Sequence, residues 1–548
     1  MSEQVVDVVI IGGSMAGSCL ARNLKLKIPK LKITVLEKKK NFDHGIGESM
    51  LEVFWDYASR DLGLSKYLEA NYFYKHGLRF FFEKEGKNTP VSEMSEMGRT
   101  WYHAIPAHQI NRAQFDEDMV ELNEQIGIDT ERGVSVSHID VGEGEELHRV
   151  VTANGDVYRC RWMVDASGLS SVFAQKFRDV EKLDAHPVSS AWMRVKNIRD
   201  LDELGDSAWR ERVRFTNRSL STNHFMYRGY WVWMIPLDAQ TVSIGVVWHH
   251  EKSQVSIKNQ KELEAFLLSH TWGKELFGHD YQIVDFGALK NMARVSKTIF
   301  STQRWFRTGM AAGFIDPLFS SGSAWLTDLN RMISDIIQTD IEGDQQQVAR
   351  KVAGYDVYAH WWFNNFLFHI TGNYHGNYDL HKVLFRALLM DYFGIVMPAG
   401  VGEYWKNFSN LDSESLEKLK TIFHDDLRSG GAAYAHKIKD ELAEFLDKTG
   451  DSLSNNIGNF HDVEIPGVYM KNSINRGIGL DDNAIKEMRF SIEMESIIAA
   501  SKVVAEHKKT KLSENDIAVI EEKYKMGEIN NLEDAIKAAR LDREIEFF

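Results

Sequence analysis

The stretch VVDVVIIGGSMAGSCLARNLKLK, residues 5–27, constrains this 548-residue chain more than any other. Val5 to Ile11 is a run rich in β-branched residues, which predicts a buried strand. It leads into Gly12-Gly13-Ser14-Met15-Ala16-Gly17, a G-x-S-x-x-G sequence, and then into a helical pattern. Gly12 permits the tight turn, the small Ser14 lets phosphates approach the backbone, and Gly17 lets helix and strand close on each other. The helix start around Ala16 offers unpaired N–H groups and the positive end of the helix dipole, which suits an anion. A second apolar run, KITVLEK, ends in Glu37, 20 residues after Gly17, where a carboxylate can grip ribose hydroxyls. Strand, turn, helix, strand and acid in this order predict an α/β, Rossmann-like unit around a dinucleotide. The competing reading is a structural loop of the same shape with no ligand.

Composition excludes several alternatives. A net charge of −14 argues against a nucleic-acid surface, and 43% hydrophobic with 26% charged residues is ordinary for a globular chain. The length allows two or three domains. Two cysteines, Cys19 and Cys160, do not make a disulfide framework, and no charged-then-apolar leader precedes the first strand. A cytoplasmic setting is therefore expected. No apolar run reaches the length of a membrane span. His360, His369, His375 and His381 lack metal-ligand spacing, so no metal is expected.

Three later stretches extend the nucleotide-binding pattern. FDHGIGESM (42–50) centres on Gly47-Glu48-Ser49; WMVDASGLSS (162–171) delivers Asp165 and Gly168 into a tight turn; FRTGMAAGFIDPLFSSG (306–322) begins with a strand-to-helix turn at Gly309. Together they are similar to the spaced motifs of FAD-binding, monooxygenase-like proteins. No second G-x-G-x-x-G occurs, so a separate NAD(P)H domain is not expected and reduced flavin has to come from elsewhere.

Two further stretches and a lysine are more specific. GYWVWMIPL (229–237) carries Trp231-x-Trp233-x-Ile235-Pro236, FIDPLFSSG (314–322) carries Phe314, Pro317, Ser320 and Gly322, and YKHGLRFFF (74–82) carries Lys75. Each has a plain reading: three apolar residues on one face of a strand, an Asp-Pro turn with a serine cap, a surface lysine. Together, with Lys75 first, the Trp231 stretch next and the Phe314 stretch last along about residues 5–335, they resemble the flavin-dependent halogenases in content and order. The resemblance implies FAD, supplied reduced by a separate flavin reductase, with chloride or bromide as co-substrate. It implies that Gly12, Gly13, Ser14, Ala16, Gly17, Glu37, Gly47, Glu48, Asp165, Gly309 and Ser323 serve the cofactor. Ser321 and Gly322 are implied to hold the halide, where a nest of backbone N–H groups suits a large, weakly hydrated anion. Trp231, Trp233, Ile235, Pro236, Phe314, Pro317 and Ser320 are implied to separate flavin from organic substrate, and Lys75 to relay hypohalous acid across that partition.

Two departures bear on the expectation. Tryptophan halogenases carry a glutamate just ahead of the halide turn, where this chain has Phe319. A phenol supplies its own electron push, so an electron-rich phenol or resorcinol, free or on an acyl or peptidyl carrier protein, is expected over indole. His76, His103, His108 and Glu48 are the nearby candidate bases. Related FAD proteins carry G-D-A where this chain has Gly309-Met310-Ala311, and losing a charged hydrogen bond there should weaken FAD by ~1–3 kcal/mol. The alternatives are an aromatic hydroxylase of the same fold and a non-catalytic flavin-binding protein.

The expected organisation is a core over residues 1–340 with an interleaved substrate-side sheet (about 75–110 and 180–300), and a mainly helical region over 341–548. Trp362, Phe366, Phe363 and Ile370 predict a buried helix or an apolar lid. Leu416, Leu419, Phe423 and Leu427 make an apolar stripe, Ser513 and Asp516 a capping box, and NNLEDAIKAARLDREIEFF a closing helix. Residues 450–479, with several Gly, Asn and Ser, predict a long loop.

Overall fold

A computed structural model describes residues 3–43, 45–83, 88–98, 106–184, 186–213, 216–278, 280–371, 374, 400–421, 441, 497–498, 501–502, 505 and 512–541. The first strand, Glu3–Ile11, lies in the middle of a seven-stranded sheet. Ile33–Glu37 and Val157–Asp165 pair with it in parallel, one on each side. Asp129–Arg132 extends the sheet beyond Ile33–Glu37, and Trp305–Arg307 pairs in parallel with the end of Val157–Asp165. Parallel strands bury both faces, which is why VVII and ITVL are continuous apolar runs rather than alternating ones. Val8, Val9 and Ile10 are fully buried.

The glycines of the first turn are demanded by packing. Gly12 sits at φ +107°, and a Cβ there would lie 2.4 Å from the Ala166 carbonyl oxygen. A Cβ at Gly17 would lie 1.9 Å from the Gly12 carbonyl oxygen. The helix Met15–Lys27 can therefore lean on the strand only with no side chain at either position.

A second seven-stranded sheet runs in the order Gln282–Leu289, Val188–Lys196, Thr241–His249, Tyr230–Pro236, Thr222–Tyr227, Leu78–Phe82 and Ser95–Gly98. All its pairings are antiparallel except Thr222–Tyr227 with Leu78–Phe82. Alternation along Tyr230–Pro236 divides two cores. Trp231, Trp233 and Ile235 pack into the core shared with the nucleotide-type sheet. Tyr230, Val232 and Met234 pack into a separate core with Trp209 and Trp272 on the other face.

The path through 306–322 is more broken than a strand-to-helix turn. Trp305–Arg307 is followed by a 3₁₀ turn (Gly309–Ala311), a two-residue strand (Gly313–Phe314), a second 3₁₀ turn (Leu318–Ser320) and then the helix Ser321–Glu342. The helix has no side-chain cap, so the plain reading of this turn as an Asp-Pro turn with a serine cap lacks its cap: Ser320 is in the left-handed region at φ 56°, directly after Phe319 at φ 65°. Two consecutive non-glycine residues in that region mark a turn held by its surroundings.

Gly343 at φ +88° ends this helix, and Gln345–Thr371 folds back on it. Trp362, Phe363, Phe366 and Ile370 are all buried there, which is the packed-helix reading. Leu416 is buried in the helix Ser413–Thr421, while Phe423, Leu427 and residues 450–479 lie outside the described residues. The Ser513–Asp516 capping box is present, and Leu532–Ala538 forms a short helix near the chain's end. No helix among the described residues is long and apolar enough to cross a membrane.

Candidate functional site

A cavity of ≈ 480 Å³ lies where the carboxyl ends of the parallel strands meet the second sheet. Gly12, Ser14, Ala16 and Glu37 line one end. The Glu37 carboxylate accepts hydrogen bonds from Gly13 N (2.7 Å) and Lys39 N (2.8 Å), which fixes the acid at the glycine turn. Gly13 and Gly17 shape the turn without lining the cavity.

Arg112 completes this end. Its Nη2 donates to Ser14 Oγ at 2.8 Å and to Asp116 Oδ2 at 2.9 Å, and its Nη1 donates to the Ile46 carbonyl at 2.6 Å. A guanidinium beside a helix N-terminus is well suited to a pyrophosphate. Sequence reasoning missed Arg112; the available signal was an Asn N-cap, Asn111, followed by Arg-x-x-Phe-Asp at a helix start. Glycine turn, ribose-side acid and guanidinium face one cavity, and that donor set fits FAD.

Two residues assigned to the cofactor from sequence have their carboxylates engaged by protein groups. Asp165 is fully buried and does not line the cavity. Its Oδ1 accepts from Ser167 N (3.0 Å) and Ser167 Oγ (2.5 Å), and its Oδ2 from Ser171 Oγ and Phe173 N (both 2.8 Å). It pins the turn after its strand. Glu48 does line the cavity, but its carboxylate is held by Arg194 Nη2 (2.6 Å) and Nε (2.9 Å). Burial pushes the Glu48 pKa up while Arg194 pulls it down. Paired in this way it ties the 42–50 loop to the second sheet. Gly47 and Gly309 lie on the cavity, as does Met310, which leaves the departure from G-D-A apolar.

The opposite wall is the second sheet and the 314–323 turn. Trp231, Trp233 and Ile235 face the cavity, and Pro236 does not. Phe314, Pro317, Ser320, Gly322 and Ser323 line it, and Ser321 does not. A buried network fastens wall to turn. Trp231 Nε1 donates to Tyr374 Oη (2.8 Å), and Tyr374 donates to Asp316 Oδ2 (2.9 Å). Asp316 Oδ2 also bonds His186 Nε2 (2.9 Å), and its Oδ1 accepts from Leu318 N (2.8 Å). Tyr374→Phe removes the joint between the two motifs and orphans a buried indole N–H. It is expected to cost about 1–3 kcal/mol, read as a lowered denaturation midpoint.

Lys75 does not line the cavity. It is 6% exposed, and its Nζ donates to the Met50 carbonyl at 2.8 Å. Burial drives its pKa down to about 8, with Glu52 partly opposing. The desolvation comes from this depth rather than from all of its sequence neighbours, since Tyr74 is 45% exposed.

The sequence model of the tryptophan halogenase family matches residues 7–103 and 81–351 of this chain. The chain belongs to the flavin-dependent halogenase family. Flavin-dependent halogenase chlA of Dictyostelium discoideum is 27% identical over 436 residues, covering 73% of this chain and 71% of that one. A brominase of 1H-pyrrole-2-carbonyl peptidyl-carrier protein from Pseudoalteromonas luteoviolacea is 25% identical over 352 residues, 62% of this chain and 78% of that one. The crystal structure of halogenase PltM in complex with phloroglucinol and FAD superposes with a TM-score of 0.60 at 16% identity, covering 94% of this chain and 98% of that one. The fold is thus the FAD-binding α/β fold of these halogenases.

Among the described residues, Glu48 is the one candidate base read from sequence that lines the cavity. Glu48 is paired with Arg194, and His76 Nδ1 accepts from Asn217 N at 2.9 Å. His108 is buried against Tyr74, does not line the cavity, and has its pKa lowered to about 4 by burial. His103 lies outside the described residues. Among the described residues no cluster of three His, Cys, Asp or Glu could hold a metal ion. His224 was not anticipated: it lines the cavity, stacks on Phe80 at 4.5 Å and packs against Trp231 at 5.5 Å.

Proposed function

We propose that this halogenase chlorinates or brominates an electron-rich phenol or resorcinol, free or carried on an acyl or peptidyl carrier protein, with Lys75 receiving the oxidant. The observation that carries the reading is the buried Lys75 amine, held by one carbonyl, with its pKa lowered to about 8. An ammonium in that position is partly neutral near pH 8, and a neutral amine can take up an electrophilic halogen. Arg112, Glu37 and the Gly12–Ala16 turn hold FAD. Reduced by a separate flavin reductase, the cofactor supplies hypohalous acid from O₂ and chloride or bromide. The N-terminal turn of the helix Ser321–Glu342 holds the halide through backbone N–H groups at Ser321 and Gly322. Trp231, fixed by Tyr374, keeps the ring of the organic substrate away from the flavin.

Phe319 supports the phenol class. It is fully buried and meets Phe80 edge-to-face at 6.2 Å, so no carboxylate is present there to take a proton from an unactivated ring. The relative acting on a pyrrole attached to a peptidyl-carrier protein supports a carrier-tethered variant of the same chemistry.

The test combines the purified protein with FAD, a flavin reductase, NADH, bromide and resorcinol. A halide-dependent mass gain of bromine on the ring is the expected product. Gain of oxygen instead, independent of halide, would establish the hydroxylase reading.

A further inference from the structure

The segment Ser49–Leu51 is stitched to the halide turn on both sides of Met50. Ser320 Oγ donates to Ser49 Oγ at 2.9 Å, and Leu51 N donates to Ser323 Oγ at 3.1 Å. Between these two bonds the Met50 carbonyl accepts from Lys75 Nζ at 2.8 Å. The segment also runs against His108–Gln109: Ser49 bridges Gln109, and Met50 N donates to the His108 carbonyl at 3.1 Å. Lys75 N donates to the neighbouring Ala107 carbonyl at 2.8 Å. Three residues therefore set the amine in register with the halide turn.

From Ser49 a row of hydroxyls continues. Ser49 Oγ and Thr222 Oγ1 are 2.7 Å apart, and Gln109 Nε2 donates to Thr222 Oγ1 at 2.9 Å. Thr222 Oγ1 is also 3.3 Å from Gln109 Oε1. Ser320, Ser49, Met50 and Thr222 line the same cavity, beside Trp231 and His224. Buried hydroxyls need partners, and these partner one another inside a wall otherwise built of rings.

The row works in either direction. With Ser49 donating to Thr222, Thr222 donates onward to Gln109 Oε1. With Thr222 donating to Ser49, the Ser49 hydrogen is left for a guest in the cavity. Hypohalous acid has one O–H donor and an oxygen acceptor, so it can exchange hydrogen bonds with each hydroxyl in turn. The flanking Phe80 and Phe319 rings offer no equivalent bond, and the Trp231 N–H is already given to Tyr374.

We propose that Ser49 and Thr222 form a hydroxyl track that holds hypohalous acid by hydrogen bonds between Ser320 and the Lys75 amine. The proposal rests on the reading of Lys75 as receiver of the oxidant. No covalent bond changes on the track. Ser49 and Thr222 touch the oxidant, and the Ser49–Leu51 segment positions the amine.

The experiment uses the full-length protein with FAD, flavin reductase, NADH, bromide and resorcinol, plus taurine in solution to capture oxidant that escapes. Ring bromination and taurine bromamine are measured together. In Ser49→Ala and Thr222→Val the ratio of ring to taurine bromination is expected to fall about tenfold, the worth of one lost hydrogen bond. Total oxidant and FAD affinity are expected to stay close to wild type, while the melting temperature falls modestly because each variant leaves a buried polar neighbour without its hydrogen-bond partner. Ser49→Thr and Thr222→Ser keep a hydroxyl and are expected to restore most of the ratio. A wild-type ratio in the hydroxyl-free variants overturns the proposal. So does equal damage in the hydroxyl-keeping variants, which would mean packing alone, or a fall in total oxidant, which would place these residues in oxidant formation. Wild-type enzyme that makes neither brominated product would instead refute the function proposed above.

Discussion

Lys75→Met is expected to abolish ring halogenation, by at least about three orders of magnitude, while raising the melting temperature. The two effects share one cause. The Lys75 amine is buried with a single carbonyl partner, and burial lowers its pKa from 10.5 to about 8. A shift of that size corresponds to about 3 kcal/mol against folding with the amine charged. Methionine fills a similar shape without a charge, at the loss of about 1 kcal/mol for the hydrogen bond to Met50. The variant should therefore be more stable by about 1–3 kcal/mol at pH 7. The pH dependence gives a second check. Below about pH 8 the amine is charged in both folded and unfolded chains, and the burial cost is fully present. Between about 8 and 10.5 the unfolded chain binds more protons at this position, so wild-type stability rises with pH. The advantage of the methionine variant should shrink across that window. FAD affinity should not change, because Lys75 does not line the cavity. Residual halogenation near the wild-type rate, or a lower melting temperature at pH 7, would remove Lys75 from the role assigned to it.

What the sequence disclosed divides along a physical line. The strands of the nucleotide-type sheet were legible because parallel strands buried on both faces are continuous apolar runs, and Gly12 and Gly17 because a Cβ at either position collides with backbone. The face shared by Trp231, Trp233 and Ile235 followed from the two-residue period of a strand. The joints between motifs were not legible. Arg194 is 146 residues from Glu48, Tyr374 is 143 from Trp231, and Ser49 is 271 from Ser320. No local pattern encodes pairs that only tertiary packing brings together. Asp165 shows the same limit from the other side. An acid at the end of a strand, before a glycine turn, reads as a ligand for a cofactor, yet its two oxygens receive four donors from the next eight residues. Composition fixes that a carboxylate is present, and the fold decides which way it points. Arg112 was passed over for a related reason: a lone arginine at a helix start acquires meaning only when Ser14, 98 residues away, is found against it.

Gly322→Ala is expected to leave the fold intact and to lower kcat/KM for halide by about a hundredfold, the loss typical of disturbing a preorganised anion-binding nest. The reasoning starts from a contrast among glycines. Gly12 and Gly17 are glycine because the fold forbids anything else. Gly322 lies in the first turn of the helix Ser321–Glu342, does not have a positive φ, and a Cβ there would meet no atom within 4 Å. Alanine there would be better for a helix by up to about 1 kcal/mol. Stability therefore gives no reason for glycine at this position. The cavity does: Gly322 lines it, so the added methyl enters space beside the N–H groups proposed to hold the halide. A large, weakly hydrated anion needs those donors at close range, and a methyl over them keeps it out. Thermal melting should show the variant as stable as wild type or slightly more so. Steady-state rates against bromide concentration should show a raised KM for halide with the KM for resorcinol little changed. If the halide response is unchanged in a variant that melts normally, the anion is not held at this turn, and the Ser321–Gly322 assignment fails with it.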